Sequence, residues 1–257
     1  MATIIAGVDE AGRGSVLGPL FVAGVAIEEV KLRKLRELGV KDSKLLLPAK
    51  RRKLYREIKK LAARITWERI EPWRIDEVVI RGTRLLRLNY LEAQHMAKVL
   101  FRLQHFDVAY VDCCDTVQKR YGELVANLVL EESCKKKGGV RLGEENPYLR
   151  KIVSEHHADL NYEVVSAASI VAKVRRDAYI SILHKRHGVF GSGYPSDPIT
   201  KNYLRQLIEK KENLPEITRF SWSTVKRLYG FSDKPQKSDS ENQEETTLFF
   251  PISPEGE

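Results

Sequence analysis

Short apolar runs along this chain are separated by segments in which apolar residues recur with helical spacing. The runs predict strands, and the segments between them predict helices. Two short apolar runs, at residues 4–8 and 20–27, are typical of buried strands, and the glycine-containing stretch between them predicts a hairpin with a long turn. Further strands are predicted at residues 65–70, 108–111 and 152–155. Helical patterns separate several of these runs, so the sequence predicts an α/β fold with a mixed sheet.

Helical periodicity fills most of the remaining chain up to residue 228. Pro48 opens a basic segment in which Leu54, Ile58 and Leu61 share one face, as in an amphipathic helix. Further helices are predicted at residues 91–103, 117–130, 166–186, 200–211 and 223–228. Residues 135–143 are polar and glycine-bearing, and residues 188–198 hold three glycines and two prolines. Both stretches therefore favour loops.

The last 27 residues differ in composition from the rest of the chain. Residues 231–257 carry seven acidic residues against two lysines, a net charge of −5. The whole chain carries +9, so residues 1–230 carry +14. We expect residues 1–230 to form the folded domain and residues 231–257 to be a disordered acidic tail. A body this basic favours polyanions, of which nucleic acid is the commonest, although total charge does not show where the charges lie.

Several classes of protein are disfavoured by simple features of the sequence. No apolar run is long enough for a transmembrane helix, and the first residues lack the order of a signal peptide. Three cysteines, two of them adjacent, do not form a disulfide framework, and no cysteine–histidine spacing suggests zinc. We therefore expect a soluble cytoplasmic protein, without a membrane partner and monomeric.

Acidic residues lie at or just beyond the ends of three predicted strands. They are Asp9, Glu10, Asp112 and Asp159. Carboxylates that converge at neighbouring strand ends repel one another and need a compensating cation, for which Mg²⁺ or Mn²⁺ is suited because both prefer oxygen ligands. Two such ions roughly 3.5–4 Å apart activate water and stabilise the leaving 3′ oxygen of a phosphodiester. Taken singly, each acid is equally compatible with a surface position or a helix cap.

Three polar segments have spacings that suit contact with a phosphate or a sugar. The turn Gly12-Arg13-Gly14 allows close approach of the backbone, and its arginine suits a phosphate. The segment 42–44, Asp-Ser-Lys, precedes the basic helix, and Tyr194 lies on a glycine- and proline-containing loop where it could stack on a sugar or base. An ordinary tight turn, a capping turn and loop packing are the respective alternatives.

These segments occur in the order of a known family. Residues 7–14 are Gly-Val-Asp-Glu-Ala-Gly-Arg-Gly, and they precede Asp-Ser-Lys at 42–44 and Tyr-Val-Asp at 110–112. His-Ala-Asp at 157–159, Ser-Ala-Ala-Ser-Ile-Val-Ala-Lys at 166–173 and Gly-Ser-Gly-Tyr-Pro at 191–195 follow. Together they resemble ribonuclease HII, the type 2 ribonucleases H, and most closely its archaeal members, over residues 3–230.

The resemblance implies an RNase H-like fold, a mixed sheet flanked by helices with a C-terminal helical segment. It also implies an endoribonuclease that hydrolyses the RNA strand of RNA/DNA hybrids and cuts 5′ of ribonucleotides embedded in duplex DNA, leaving 3′-hydroxyl and 5′-phosphate ends. In such a protein two Mg²⁺ or Mn²⁺ ions bind to the four acids Asp9, Glu10, Asp112 and Asp159. The usual task of the family is the removal of ribonucleotides from DNA.

The same resemblance assigns substrate contacts. The residues that recognise the ribose 2′-hydroxyl, partly through backbone groups, are Gly12, Arg13 and Gly14. Ser43 and Lys44 would hold a nearby phosphate, and Tyr194 would stack on the deoxyribose that follows a ribonucleotide.

Two other aspartates compete for the place of the fourth carboxylate. Asp177 lies 11 residues beyond Ser166, roughly 16 Å along a helix, which is too far from Asp159 to share a metal site. Asp115 falls beyond the strand and is better placed to cap the helix expected from Val117.

Two regions depart from the family pattern. The stretch 131–150 is longer than the family norm, and the acidic tail lies outside the family core. The tail contains a segment similar to the box that binds the sliding clamp PCNA, formed by Gln243, Leu248, Phe249 and Phe250. Thr246 stands where such boxes have an aliphatic residue, so a modest affinity is expected.

Other functions stay open on the sequence alone. A transposase, resolvase or exonuclease of the same fold is one alternative, since fold does not fix function. A non-catalytic nucleic-acid-binding protein is another, although four converging acids without metal would repel phosphate.

Overall fold

The computed structural model describes residues 2–40, 46–80, 86–137, 146–149 and 151–228. Within them, five strands form one sheet with the order β3-β2-β1-β4-β5. The strands are β1 (Ile4–Ala11), β2 (Leu20–Glu28), β3 (Arg64–Ile70), β4 (Val108–Asp112) and β5 (Ile152–Glu155). β2 is antiparallel to β1 and to β3, whereas β4 is parallel to β1 and to β5. The predicted hairpin and the mixed sheet are confirmed.

Helices cover both faces of this sheet. Those before the fourth strand are α1 (Leu32–Glu37), α2 (Pro48–Leu61), α3 (Pro72–Ile80) and α4 (Leu86–Leu103). Those after it are α5 (Gln118–Lys137), α6 (Ala158–Asn161), α7 (Glu163–His187), α8 (Pro198–Glu209) and α9 (Ser223–Leu228). A short 3₁₀ turn at Glu29–Lys31 precedes α1.

Two apolar cores lie on opposite faces of the sheet. On one face, α4 and α5 contribute side chains such as Met96, Leu100 and Val125. On the other, α1, α2 and α7 pack on the strands, and α7 offers the small residues Ala168 and Ala172. Both faces of β1 and β2 are therefore buried, which explains why these strands are apolar throughout instead of alternating.

A third apolar cluster joins the C-terminal helices to the turn between β1 and β2. Phe190, Leu204 and Val225 pack there against Val16 and Leu17. A β-bridge between Leu17 and Thr218 continues this contact. The predicted C-terminal helical segment is thereby fastened to the turn that follows β1.

The structure also corrects several predicted bounds. Helix α5 continues to Lys137, so the loop predicted from residue 135 begins later, and Lys135 instead pairs with Glu132 one helical turn away, 2.8 Å between Nζ and Oε1. Helices α1, α3 and α6 were not predicted. They have six, nine and four residues, too few for apolar residues to recur at the helical spacing often enough to be recognised.

Among the described residues, no helix combines the length and apolar character needed to cross a bilayer. The predicted acidic tail, residues 231–257, lies outside the described residues.

Candidate active site

Three of the four predicted acids converge at one edge of the sheet. β1 and β4 are parallel neighbours with Val8 opposite Val111, so Asp9 and Asp112 follow at adjacent positions. One carboxylate oxygen from each of Asp9, Glu10 and Asp112 lies within 4.8 Å of the others. The parallel pairing of two strands thus brings together acids that are about a hundred residues apart in sequence.

Asp159 lies beside this group but not within it. It is 2% exposed and belongs to α6, the single helical turn that follows β5. The backbone amide of Ala158 donates a hydrogen bond to Asp112 Oδ1 at 2.8 Å, which ties this turn to the end of β4. The charge of Asp159 contributes to the raised pKa of Asp9, so the two carboxylates interact.

The cluster is electrostatically unfavourable in the absence of a cation. Burial is the largest cause that raises the pKa of Asp9 to about 7, and the charge of Asp112 is the second. Hydrogen bonds from the Ser169 side chain and the Glu10 amide lower this pKa but do not offset the rise. Burial also raises the pKa of Glu10 well above its ordinary value, and the charges of Asp9 and Asp112 add to the effect. Carboxylates packed in this way favour protonation unless a positive charge compensates them.

The side chains fit a hard divalent cation. Glu10 Oε2 is buried and has no hydrogen-bond partner within the described structure. Buried carboxylate oxygens of this kind are the ligands that Mg²⁺ and Mn²⁺ prefer. Asp9, Glu10 and Asp112 could therefore hold such an ion.

The competing aspartates have other partners. Asp115 Oδ1 accepts a hydrogen bond from the Val117 amide at 3.0 Å, in the turn that directly precedes α5. Asp177, on α7, accepts a hydrogen bond at its Oδ2 from Arg51 Nη2 at 2.9 Å. Both aspartates therefore have hydrogen-bond partners outside the cluster of Asp9, Glu10 and Asp112.

The glycine turn lies directly beyond the first two acids. Gly12 has a φ of 98°, and a Cβ there would collide with the Arg176 side chain, so this position requires glycine. Gly14 is exposed, with open space around it. The Arg13 guanidinium is bound by Glu92 and, at 2.7 Å, by Asn89 Oδ1, both on α4. The structure anchors the arginine within the protein, and its contact with substrate stays a prediction.

Tyr194 is held next to this turn by Arg176. Arg176 Nη2 donates to the Ser192 carbonyl at 2.9 Å, and the guanidinium carbon lies 4.6 Å from the centre of the Tyr194 ring. The amide of Val16 donates to the Gly193 carbonyl at 2.7 Å, which docks the tyrosine loop onto the glycine turn. Two segments 180 residues apart therefore form one surface.

Three polar residues of this arrangement were not predicted as site residues, although one of them, Ser169, lies within the motif at 166–173. Arg219 is fully buried and donates to the carbonyls of Arg13 and Gly18 at 2.7–3.1 Å, and burial lowers its pKa to about 9. Ser169 and Arg176 lie seven residues apart on α7, which places them on one helix face. That spacing is a signal in the sequence, whereas nothing local to Arg219 distinguishes it from a surface arginine.

Some predicted site residues are not described. Ser43 and Lys44 lie outside the described residues, as does the clamp-box segment formed by Gln243, Leu248, Phe249 and Phe250. Their assignments stay predictions.

Comparison with known proteins identifies the family. The family model for ribonuclease HII matches residues 6–225. This chain belongs to the ribonuclease HII family. Ribonuclease HII of Pyrococcus abyssi is 41% identical over 225 residues, covering 87% of this chain and 90% of the relative. Ribonuclease HII of Aeropyrum pernix is 43% identical over 229 residues, covering 88% and 91%. The protein is thus an RNase H endoribonuclease, as the sequence motifs indicated.

Solved structures agree with this assignment. Ribonuclease H2 from Pyrococcus horikoshii superposes with a TM-score of 0.73 at 36% identity, covering 90% of this chain and all of that one. The ribonuclease HII in a complex with PCNA from Archaeoglobus fulgidus gives a TM-score of 0.71 at 37% identity, covering 87% and 96%. Bst ribonuclease HIII, solved with Mn²⁺, shares the fold with a TM-score of 0.69 at 17% identity, over 90% of this chain and 71% of that one. The RNase H-like fold is confirmed.

Proposed function

We propose that this enzyme hydrolyses the RNA strand of RNA/DNA hybrids and cuts 5′ of ribonucleotides embedded in duplex DNA, leaving 3′-hydroxyl and 5′-phosphate ends. The observation that carries the proposal is the convergence of Asp9, Glu10 and Asp112 at the edge shared by two parallel strands. Four acids, these three and Asp159, would hold two Mg²⁺ or Mn²⁺ ions. When bound, the ions supply a water nucleophile at neutral pH and stabilise the leaving oxygen.

The protein side chains prepare this cluster for cations. The Ser169 side chain and the Glu10 amide hydrogen-bond the Asp9 carboxylate, and both lower its pKa. They therefore favour the charged form that a cation needs, against burial and the charge of Asp112. The Ala158 amide donates a hydrogen bond to Asp112 Oδ1 and so fixes the position of the Asp112 side chain at the end of β4.

The turn after β1 supplies the proposed contact with the ribose. Its glycines carry no side chain, and Gly14 is exposed, so backbone groups of the turn can approach a 2′-hydroxyl closely. Because Glu92 and Asn89 bind the Arg13 side chain, we propose that Arg13 acts chiefly by positioning the turn. The same surface presents Tyr194 for stacking on the adjacent deoxyribose, while Ser43 and Lys44 hold a phosphate.

The acidic tail is the proposed contact with a sliding clamp. A relative from Archaeoglobus fulgidus has been solved in a complex with PCNA. The tail of this chain carries a similar box, with Gln243 and the apolar group Leu248, Phe249 and Phe250. Adjacent aromatic side chains gain nothing in water and can anchor in an apolar pocket as the segment orders on binding.

The catalytic assignment is tested by measuring cleavage and binding separately. Asp9→Asn should abolish cleavage with Mg²⁺ while duplex binding survives, because an amide is a far weaker metal ligand than a carboxylate. Asp107→Asn is the matched control, since Asp107 Oδ2 accepts the Ile4 amide at the start of β1, at the opposite end of this strand from the cluster, and it should keep both activities. Substantial cleavage by Asp9→Asn would contradict the proposed site.

A further inference from the structure

Helix α2 carries a row of basic side chains on its exposed face. Arg52, Lys53, Arg56 and Lys60 are exposed, and with Ala49 and Glu57 they line one shallow surface groove. Their spacing of three and four residues places them side by side on the helix. These four cations are called the basic face of α2 below. They lie outside every motif used to identify the family.

Three of these four cations have no acidic partner among the residues that the structure describes. Lys60 pairs with Glu57 at 2.8 Å, but within the described part of the chain no carboxylate lies within ion-pair distance of Arg52, Lys53 or Arg56. Arg51, on the side of the helix that faces α7, is by contrast paired with Asp177. The helix therefore neutralises its inward arginine and leaves its outward cations available to an external anion.

This arrangement is unfavourable for an isolated helix. Like charges three or four residues apart repel, as Arg52 and Arg56 do, and Arg56 and Lys60. The first turn of α2 contains no acidic residue but does contain Lys50 and Arg51, although the helix dipole favours negative charge there. A row of phosphates along the basic face would relieve both effects.

The basic face begins near the catalytic edge of the sheet. Arg51 at the start of α2 contacts Asp177 on α7, and the preceding residue, Arg176, lies against Gly12 and Tyr194. One helical turn further along α2, the Tyr55 hydroxyl accepts from Arg175 Nη2 at 2.9 Å. The start of α2 is thus held to the part of α7 that contacts the glycine turn and the tyrosine loop.

We propose that the basic face of α2 binds backbone phosphates of the duplex arm that extends from the cleavage site. The inference rests on the proposed function, because it takes the bound duplex to lie at the carboxylate cluster. From Arg52 to Lys60 the helix rises roughly 12 Å. At about 3.4 Å per base pair, the basic face spans about three to four base pairs of this arm.

The test is the salt dependence of binding in a protein that does not cleave. Arg52→Gln, Lys53→Gln and Arg56→Gln are combined in an Asp112→Asn background, and glutamine is used because it keeps helix propensity. Binding to a duplex of about 30 base pairs with one central ribonucleotide is measured as salt rises. If three phosphate contacts are lost, the slope of log K against log salt becomes less negative by about 2.7. The ratio of the binding constant of the background protein to that of the α2 variant then falls about 40-fold as salt rises from about 50 to about 200 mM.

A control separates local contacts from total charge. Lys98→Gln, Lys119→Gln and Lys135→Gln remove the same three charges from α4 and α5, on the opposite face of the sheet. We expect this variant to keep the slope of the background protein. The same comparison is made with duplexes in which one arm, either 5′ or 3′ of the ribonucleotide, is shortened to about three base pairs. The affinity lost in the α2 variant should be smaller for the duplex whose α2-facing arm is shortened, because only that arm contacts α2.

Two results would overturn the inference. One is an equal slope for the α2 variant and the control. The other is a loss of affinity in the α2 variant that is the same whichever arm is shortened. Cleavage of the same duplex by the unsubstituted protein is followed in parallel, so failure of the proposed function appears separately as an absence of product.

Discussion

The carboxylate cluster should make the metal-free enzyme less stable, and Asp112→Asn should relieve part of that cost. This substitution removes a negative charge next to Asp9. It keeps a side-chain oxygen that can still accept the Ala158 amide, so the link between β4 and α6 is preserved. A variant that loses cleavage is therefore expected to gain stability.

The sign and size follow from the pKa of Asp9, which rises from 3.8 to about 7. A folded-state pKa above the unfolded value means that the folded protein binds the proton more tightly. The metal-free protein therefore loses stability as the pH rises from about 4 to about 7, by about 4 kcal/mol in total. Burial is the first cause and Asp112 the second, so Asp112→Asn should restore about 1–2 kcal/mol, or about 2–8 °C in Tm.

Thermal unfolding in a chelator provides the assay. At about pH 8 Asp112→Asn should unfold at a higher temperature than the unsubstituted protein, and at about pH 5, where Asp9 is protonated, the difference should vanish. With Mg²⁺ the order should reverse, since only the intact cluster gains from binding the cation. As a control, Asp115→Asn should lower stability, because the Val117 amide and Arg120 hydrogen-bond its charged form. Equal or lower stability of metal-free Asp112→Asn at about pH 8 would refute the reasoning.

Four further variants test the surfaces around the cluster. Tyr194→Ala should lower kcat/KM at a single-ribonucleotide junction by the equivalent of roughly 1–3 kcal/mol of transition-state stabilisation, and by less on a long hybrid. Equal losses of kcat/KM on both substrates would indicate that Tyr194 only packs the loop. Arg176→Met removes the hydrogen bond to the Ser192 carbonyl, so denaturation should show a loss of about 1.5–3 kcal/mol. Ser169→Ala should raise the Mg²⁺ concentration needed for half-maximal cleavage, and an unchanged requirement would contradict its role. Phe249→Ala with Phe250→Ala should abolish calorimetric binding to the clamp but leave cleavage of short duplexes intact.

The main strands and the acids at their ends could be predicted from the sequence because the signals are local. Apolar runs at residues 4–8 and 108–111 marked neighbouring strands, and each continues directly into an acidic residue. The observed β1 is longer than predicted, since Asp9 and Glu10 still pair with β2, opposite Ala23 and Val22. Hydropathy does not predict that charged residues continue a strand. The strand pairing of Asp9 and Glu10 nevertheless determines where their carboxylates lie.

The supporting contacts could not be predicted because they join distant parts of the chain. Arg13 is bound by Glu92, which lies 79 residues away, and Arg219 binds the carbonyl of Arg13 from 206 residues away. A buried arginine has the same local pattern as an exposed one, and only the tertiary structure shows its partners. The sequence therefore indicated the acids of the candidate metal site, whereas the residues that hold this site in place became visible only in the structure.

The most direct test of the account is cleavage of a duplex that contains a single ribonucleotide. The purified protein is incubated with Mg²⁺ and with this duplex, labelled on the ribonucleotide-containing strand, and the product ends are mapped. We predict one cut 5′ of the ribonucleotide, with 3′-hydroxyl and 5′-phosphate ends, abolished by a chelator and by Asp9→Asn. Cleavage of an all-DNA duplex at the same rate, or a cut that persists in the chelator, would contradict the account.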